Sequence, residues 1–209
     1  MKDSYDNIDE YIADLQAEIK ENENCANHYY NLGVALLSKR DWAAAESAFL
    51  DCVRNSPRFA EAFVQLGGIC LQRGDLEGCK RYNEEAAQCR PKFPAAAANI
   101  GFVHLQLGEP EPAIKALKKA LKWDPDFVQA KASLATAYFM VEEYDEVLQV
   151  CKEIIKKEPA FAPAYNNMSL AYFEKGEFDK AVQFADEAMK LGFDVAPPYL
   201  EELKAHRKG

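Results

Sequence analysis

A repeat of 34 residues is the feature of this sequence that most restricts its fold. Similar segments begin, with no insertion between any two, at Tyr29, Phe63, Ala97, Lys131 and Tyr165. Five copies tile residues 26–195. A chain with self-similarity at such a period builds one supersecondary unit several times, and each unit buries its apolar face only by stacking on its neighbours. The sequence therefore predicts one continuous stack of units.

Each unit is predicted to contain two helices, A and B, that pack closely on each other. We number the positions of a unit from 1, starting at residues 26, 60, 94, 128 and 162. Small residues occupy position 8: Gly33, Gly67, Gly101, Ala135 and Ser169. An interior glycine costs a helix up to about 1 kcal/mol relative to alanine. We expect closer packing to offset this cost, because a side chain at position 8 would hold helix A away from the small residues at positions 20 and 27 of helix B.

Two further columns mark the ends of helix B. Position 16 is always acidic, which suits the N-terminus of a helix as a cap or as a charge that complements the dipole: Asp41, Asp75, Glu109, Glu143 and Glu177. Position 32 is proline in the first four units, and proline ends a helix: Pro57, Pro91, Pro125 and Pro159.

These residues resemble the tetratricopeptide repeat, whose pattern is W-x2-L-G-x2-Y followed by A, F, A and P at fixed offsets. The first unit carries Tyr29, Leu32, Gly33, Ala45, Phe49 and Pro57 of that pattern. The resemblance implies an all-α fold, a right-handed α-solenoid of five tandem helix-turn-helix repeats in which the A helices line a concave groove. It implies protein binding as the usual task. The predicted repeats are 26–59, 60–93, 94–127, 128–161 and 162–195.

Both ends are predicted to be capping helices, because the terminal units of a solenoid need a polar outer face. In the acidic segment 1–25, apolar residues at helical spacing predict a helix over residues 5–22: Ile8, Tyr11, Ile12, Leu15 and Ile19. In the segment 196–209, Tyr199, Leu200 and Leu203 predict a second capping helix, which a basic tail follows. The alternative for the acidic helix is to dock a basic partner or to fold into the groove as an autoinhibitor.

Composition excludes several classes of function. The net charge is −9, most of it from residues 1–24, so the nearly balanced repeats do not indicate nucleic-acid binding. No signal peptide or membrane span is present in the sequence, and the six cysteines form no C-x-x-C pair, so a reducing, cytoplasmic location is expected. Catalytic and nucleotide-binding motifs are missing, and the three histidines lie far apart. We therefore expect no enzyme activity, no cofactor and no metal.

The resemblance places positions 2, 5, 6, 9, 12 and 13 of helix A in the groove. Position 6 is mostly a carboxamide, which can pair with the N–H and C=O of an extended peptide, or else with water or a neighbouring helix. Phenylalanine at positions 9 and 12 offers apolar contact, unless it packs onto the next repeat. The predicted partner-binding residues are Tyr30, Asn31, Gln65, Asn99, Phe102, Ser133, Phe139, Asn166, Asn167 and Phe173.

Some members of this family hold the C-terminal carboxylate of chaperones with lysine, arginine and asparagine side chains of three successive A helices. The corresponding positions of the first three units lack the cations: they hold Tyr30, Val34, Gln65, Ala95 and Asn99. We therefore predict an adaptor or scaffold that binds a peptide or helix of another protein in the groove without a carboxylate clamp. The alternative is a structural scaffold that associates with itself as a homo-oligomer.

Three minor features leave their interpretation open. A lysine stripe on helix B of the third repeat is either a solvated face or a contact for an acidic partner or a phosphate backbone: Lys115, Lys118, Lys119 and Lys122. Cys70 and Cys79 lie on facing helices, as apolar residues or as a redox pair. His104 takes the place of an aromatic residue and is expected to be a hydrogen-bonded core histidine.

Overall fold

The structure, a computed structural model, describes residues 7–207 and forms this part of the chain from α-helices without any β-strand. Helix α1 (Ile8–Glu21) comes first and α12 (Pro197–Lys204) comes last. The A helices are α2 (Ala26–Ser38), α4 (Ala60–Gln72), α6 (Pro94–Gln106), α8 (Val128–Met140) and α10 (Ala162–Glu174). The B helices are α3 (Trp42–Asn55), α5 (Leu76–Cys89), α7 (Pro110–Trp123), α9 (Tyr144–Lys157) and α11 (Phe178–Lys190). None of the helices in residues 7–207 is long and apolar enough to cross a lipid bilayer.

The predicted all-α solenoid of helix pairs is confirmed. Every A helix begins at the first position of a predicted unit, and every B helix begins at position 17. The contacts within the chain divide it into two compact parts, Met1–Ile100 and Gly101–Gly209. The division falls within α6, after Ile100.

The turn from helix A to helix B has the same geometry in all five repeats. Position 15 has a positive φ, between 60° and 75°, at Arg40, Gly74, Gly108, Glu142 and Gly176. The following N–H, at position 16, donates to the carbonyl oxygen at position 11, for example from Asp41 to Leu36 at 3.0 Å and from Glu143 to Tyr138 at 3.0 Å. This is the six-to-one hydrogen bond of a Schellman motif, which requires a left-handed residue and therefore favours glycine.

Glu142→Gly is expected to raise the free energy of unfolding by about 1 kcal/mol, because an L-residue in the left-handed region costs roughly 1–2 kcal/mol that glycine avoids. Urea unfolding followed by circular dichroism measures the effect. The matched control is Glu143→Gly at the next position, where φ is −81° and glycine brings no conformational relief. Equal effects of the two substitutions would contradict the explanation.

The acidic residue at position 16 caps helix B only where it is aspartate. The Asp41 carboxylate accepts from the Ala44 N–H at 3.1 Å, and Asp75 accepts from the Gly78 N–H at 2.8 Å. The glutamates at this position make no side-chain cap bond. Glu109 instead lies 2.6 Å from Nδ1 of His104. Glutamate is longer than aspartate by one methylene group, and at these N-termini it acts on the backbone of helix B only through its charge.

The close approach predicted at position 8 is present, and its nearest partner is the side chain at position 24 of helix B. The predicted contact with position 20 is made by its backbone carbonyl oxygen, 3.3 Å from a Cβ added to Gly67 or to Gly101. A Cβ atom added to Gly33 would lie 2.6 Å from Cε1 of Phe49. One added to Gly101 would lie 2.6 Å from Cγ of Leu117. Phe49 and Leu117 are fully buried. A large side chain at position 24 therefore occupies the space in which a position 8 side chain would lie.

In the last two repeats position 8 carries a side chain and position 24 carries a smaller one than Phe49 or Leu117. Position 8 is Ala135 in the fourth repeat and Ser169 in the fifth, and position 24 is then Cys151 and Ala185. All four residues are fully buried. Positions 8 and 24 therefore complement each other in volume within each helix pair, as close packing requires.

Helix α1 packs on the first repeat through an apolar stripe. Leu15 is buried and contacts Leu32 and Ala48, with Tyr11 and Ile19 packed around them. The Asn7 side chain accepts from the Glu10 N–H at 2.9 Å and caps the helix. The predicted helix over residues 5–22 begins outside the described residues, and the observed helix starts at Ile8.

Helix α12 packs on the fifth repeat. Its Tyr199 and Leu203 are buried, and the Tyr199 hydroxyl lies 2.7 Å from Oγ of Ser169, which also donates to the Ala181 carbonyl oxygen at 2.7 Å. Tyr199 follows Tyr165 by 34 residues, so α12 continues the repeat in register as a shortened A helix. The last two residues of the predicted basic tail lie outside the described part.

Candidate functional site

Charged side chains are distributed unequally between the two kinds of helix. The five A helices contain three of them: Glu61, Lys131 and Glu174. Every B helix contains three or more. Two of the three charges on A helices are paired, because Glu61 binds Arg90 and Nζ of Lys131 lies 2.6 Å from Glu153. The A helices therefore present a largely neutral surface.

The exposed residues of the A helices lie at positions 2, 9 and 13, and we call them the A face of each unit. In Met1–Ile100 the A face consists of Asn27, Val34, Ser38, Gly68 and Gln72. In Gly101–Gly209 it consists of Gln106, Gln129, Thr136, Met140 and Glu174. Glu174, at the end of α10, is the one charged member of this set. Val34 and Met140 are large apolar side chains that are 42% and 43% exposed.

The residues predicted for the partner-binding groove border the A face and are all half-buried. The part Met1–Ile100 contains Tyr30, Asn31, Gln65 and Asn99. The part Gly101–Gly209 contains Phe102, Ser133, Phe139, Asn166, Asn167 and Phe173. Helices α8 and α10 contact each other, which brings the predicted residues of these two helices onto neighbouring elements. Each of these side chains is partly packed against neighbouring residues and partly exposed to solvent.

Tyr30 is largely engaged in packing. Its ring stacks on Phe59 with centroids 5.0 Å apart and lies 5.8 Å from the ring of Phe49. Phe59 is the N-cap residue of α4 and occupies position 34, where the next three repeats also have phenylalanine. This aromatic column is visible in the sequence, and it would have indicated that Tyr30 has a partner.

Phe173 is covered by the C-terminal helix. Its ring meets Tyr199 at 5.4 Å and Phe178 at 5.3 Å, edge to face in both cases. His206 lies 6.0 Å from Phe173 and stacks on Phe178 at 3.7 Å. Phe139 also has an aromatic neighbour, Tyr144, at 5.5 Å. These contacts place Phe173 in the junction between the fifth repeat and α12.

Asn99 is bound to a buried carboxamide that the sequence analysis did not single out. Its Nδ2 donates to Oδ1 of Asn83 at 2.9 Å, and Nδ2 of Asn83 donates to the Cys79 carbonyl oxygen at 2.8 Å. Asn83 is fully buried at position 24, where it lies against Gly67. The Asn99 amide therefore stabilises the protein itself, and an alanine substitution would disturb the fold together with any contact to a partner.

The buried cysteines are free thiols of low reactivity. Burial raises the pKa of Cys52 and of Cys151 to about 12 and that of Cys79 to about 11. Burial also raises the pKa of Cys70. Because the thiolate is the nucleophilic form, these side chains stay protonated and pack as apolar residues.

His104 is hydrogen-bonded, as expected, through Nδ1 to Glu109 at 2.6 Å, but it is half-buried at the surface and not a core residue. Among residues 7–207, no group of three histidine, cysteine or carboxylate side chains converges in a way that could hold a metal ion.

Helix pairs of one length in an unbroken array define the chain as an α-helical repeat protein. Models of the tetratricopeptide repeat match residues 12–58, 30–78, 104–167 and 162–191. The chain belongs to the tetratricopeptide repeat family. No curated protein matches it by sequence.

Several solved structures share the fold. YrrB, described as a TPR protein with an unusual peptide-binding site, is 20% identical with a TM-score of 0.71, over 92% of this chain and 97% of its own. MamA is 22% identical with a TM-score of 0.67, over 82% and 98%. PilF of Pseudomonas aeruginosa is 17% identical with a TM-score of 0.82, over 96% and 90%.

Proposed function

We propose that this protein is a non-enzymatic adaptor that binds a segment of another protein on the A face. The observation that carries the proposal is the near absence of charge from this face, in a chain of which 28% of the residues are charged. Protein interfaces are depleted of charged residues at their centre, because each charge must lose its hydration when the partner binds.

The chemistry of the A face suits an uncharged peptide or helix. In Met1–Ile100 the amide groups of Asn27 and Gln72 can bind the backbone of a partner, and Val34 can contact an apolar side chain. In Gly101–Gly209 Gln129 and Met140 offer the same two kinds of contact. A carboxylate clamp is not part of the proposal, since the one cation of the A helices, Lys131, already pairs with Glu153. The peptide-binding site of YrrB supports a peptide ligand by analogy.

The proposal places the protein in the cytoplasm. Six free cysteines, four of them buried, fit a reducing compartment.

Capture experiments with charge substitutions test the proposal. Val34→Glu and Met140→Glu place a carboxylate on the A face, where an unpaired charge in a contact is expected to weaken binding about tenfold or more. Leu50→Glu and Met189→Glu are matched controls, because these side chains are 38% and 37% exposed on the B helices α3 and α11. Each variant and the wild type capture proteins from a lysate of the native organism, and mass spectrometry identifies what is retained.

The expected result is a protein that the wild type and the B-helix variants retain and that the A-face variants lose. If only the B-helix variants lose the partner, the partner binds the B helices and not the A face. Retention of no protein except the chain itself would contradict the adaptor and favour the self-associating scaffold, which light scattering over a concentration series then tests.

A further inference from the structure

One helix face carries positive charge that the protein itself does not neutralise. Lys115, Lys118, Lys119 and Lys122 lie at i, i+3, i+4 and i+7 on α7, so they share one face about 10 Å long. All four are exposed. Within residues 7–207 none of them forms an ion pair with a carboxylate. We call these four residues the α7 lysine face.

This face is unusual for the chain. The protein has a net charge of −9, yet two lysine pairs at i, i+4 spacing repel each other within α7. Several lysines elsewhere are paired with a carboxylate: for example, Lys175 lies 2.6 Å from Asp145, and Lys190 lies 2.6 Å from Glu187. In the described part of the chain Lys152 and Lys156 of α9 form no ion pair, but they are two lysines and not four. Nearby acids compensate the like-charge repulsion on α7 only in part: Glu111 precedes Lys115 by four residues, and Glu143 and Glu146 act on Lys118 without forming an ion pair with it.

Aromatic rings hold two of the ammonium groups in place. Nζ of Lys118 lies 5.3 Å from the ring centroid of Tyr138, and Nζ of Lys119 lies 5.1 Å from that of Trp123. A cation–π contact restricts the side chain but leaves its N–H donors available to an anion. A hydrogen bond with Tyr138 raises the pKa of Lys118, so this amine stays charged.

An open cavity with a mixed polar and apolar lining adjoins the lysines. It has a volume of about 380 Å³ and lies between α7, α8 and α9, with Lys118 and Lys122 at its border. Leu121, Leu134 and Val150 line it. A ligand that contacts the lysines can therefore place one apolar side chain beside its negative charges.

We infer that the α7 lysine face, with this cavity, docks a short acidic segment of a partner protein in which apolar side chains alternate with carboxylates. The charge pattern favours a protein segment over a nucleic acid or a lipid surface. Glu111 lies on α7 before the face, and Glu146 and Glu153 line the same cavity. A continuous array of phosphates would approach these acids, whereas discrete carboxylates can be spaced between them. This surface is separate from the A face and does not depend on its function.

The test measures binding of a defined acidic peptide to the full chain. A fluorescein-labelled synthetic peptide of repeating Glu-Glu-Leu is titrated with protein, and fluorescence anisotropy reports the Kd. Its counterpart of repeating Gln-Gln-Leu is the neutral control. In a Trp42→Phe background Trp123 is the single tryptophan, and its emission is expected to change when carboxylates reach Lys119.

Changing all four lysines of the face to glutamine is expected to weaken binding about tenfold or more, since each exposed ion pair contributes modestly and four act together. The thermal unfolding temperature should change little, because the substitutions remove the like-charge repulsion together with the two cation–π contacts. The matched control changes Lys152 and Lys156 of α9 to glutamine. These lysines line a different cavity together with the acids Asp145 and Glu153, so their loss should change the Kd less than about twofold.

Several outcomes would overturn the inference. They are no binding of the Glu-Glu-Leu peptide, equal binding of the Gln-Gln-Leu peptide, and an equal loss of affinity in the α9 control. Tighter binding of single-stranded RNA or of vesicles containing anionic lipid than of the peptide would also overturn it, because the occupant would then be another polyanion.

Discussion

Gly33→Ala is expected to lower the free energy of unfolding by about 2 kcal/mol, although alanine is the better helix former. The added Cβ would lie 2.6 Å from the Phe49 ring, which is fully buried, so the ring and its core neighbours would have to shift. The helix-propensity gain of at most about 1 kcal/mol is smaller than the usual cost of overpacking a core, about 1–3 kcal/mol. Urea unfolding of the full chain measures the difference.

Gly68→Ala is the matched control for this prediction. Gly68 lies in the middle of α4, and a Cβ there would meet no atom within 4 Å. The same substitution is therefore expected to stabilise the protein by up to about 1 kcal/mol. In a Phe49→Ala background, Gly33→Ala should lose its penalty as well. A penalty that persists in that background would show that position 24 is not its cause.

Asn83→Asp is expected to cost about 3 kcal/mol at pH 7. The introduced carboxylate could still accept from Asn99, but it would face the Cys79 carbonyl oxygen, to which Nδ2 of Asn83 now donates at 2.8 Å. It would also lose its hydration, because Asn83 is fully buried. The loss of hydration and the dipole of the Cys79 carbonyl group therefore both destabilise a negative charge at this position.

The loss should depend on pH with a definite sign. Burial raises the pKa of the introduced carboxyl in the folded protein above the unfolded value of about 3.9. The folded state then binds the proton more tightly, so stability falls as pH rises through the folded pKa and recovers as pH drops toward about 4. Asn83→Leu is the control, because leucine occupies the same position at Leu117 and brings no titration. A loss that is independent of pH for Asn83→Asp would contradict the explanation.

The repeat period was sufficient to predict where the helices lie. Proline at position 32, acids at position 16 and small residues at position 8 are local requirements of a helix pair, so they place Ala26 and Trp42 at helix starts without knowledge of tertiary structure. The distribution of charge between A and B helices is also contained in the sequence. It becomes informative only when the two helices of each unit are treated separately.

The sequence did not determine which half-buried residues remain available to a partner. Phe173 occupies a predicted groove position, but its edge-to-face partners Tyr199 and Phe178 belong to α12 and α11, and the period of the repeat does not specify how those rings are oriented. Asn99 satisfies the family pattern at position 6, yet its amide is bound by Asn83, which departs from the apolar character of position 24 elsewhere. Such pairings depend on single side chains and not on periodicity.

The volume match between positions 8 and 24 determines how repeats of this kind can be recombined. An exchange that joins one repeat's A helix to another repeat's B helix would set Ser169 against Phe49, or Gly33 against Ala185, and would create a clash or a void. An exchange at the proline-containing loop between units keeps each matched pair together. The helix pair that starts at position 1 is therefore the segment that can be exchanged without losing this match. Chimeras joined at the A-to-B turn should be less stable than chimeras joined between repeats.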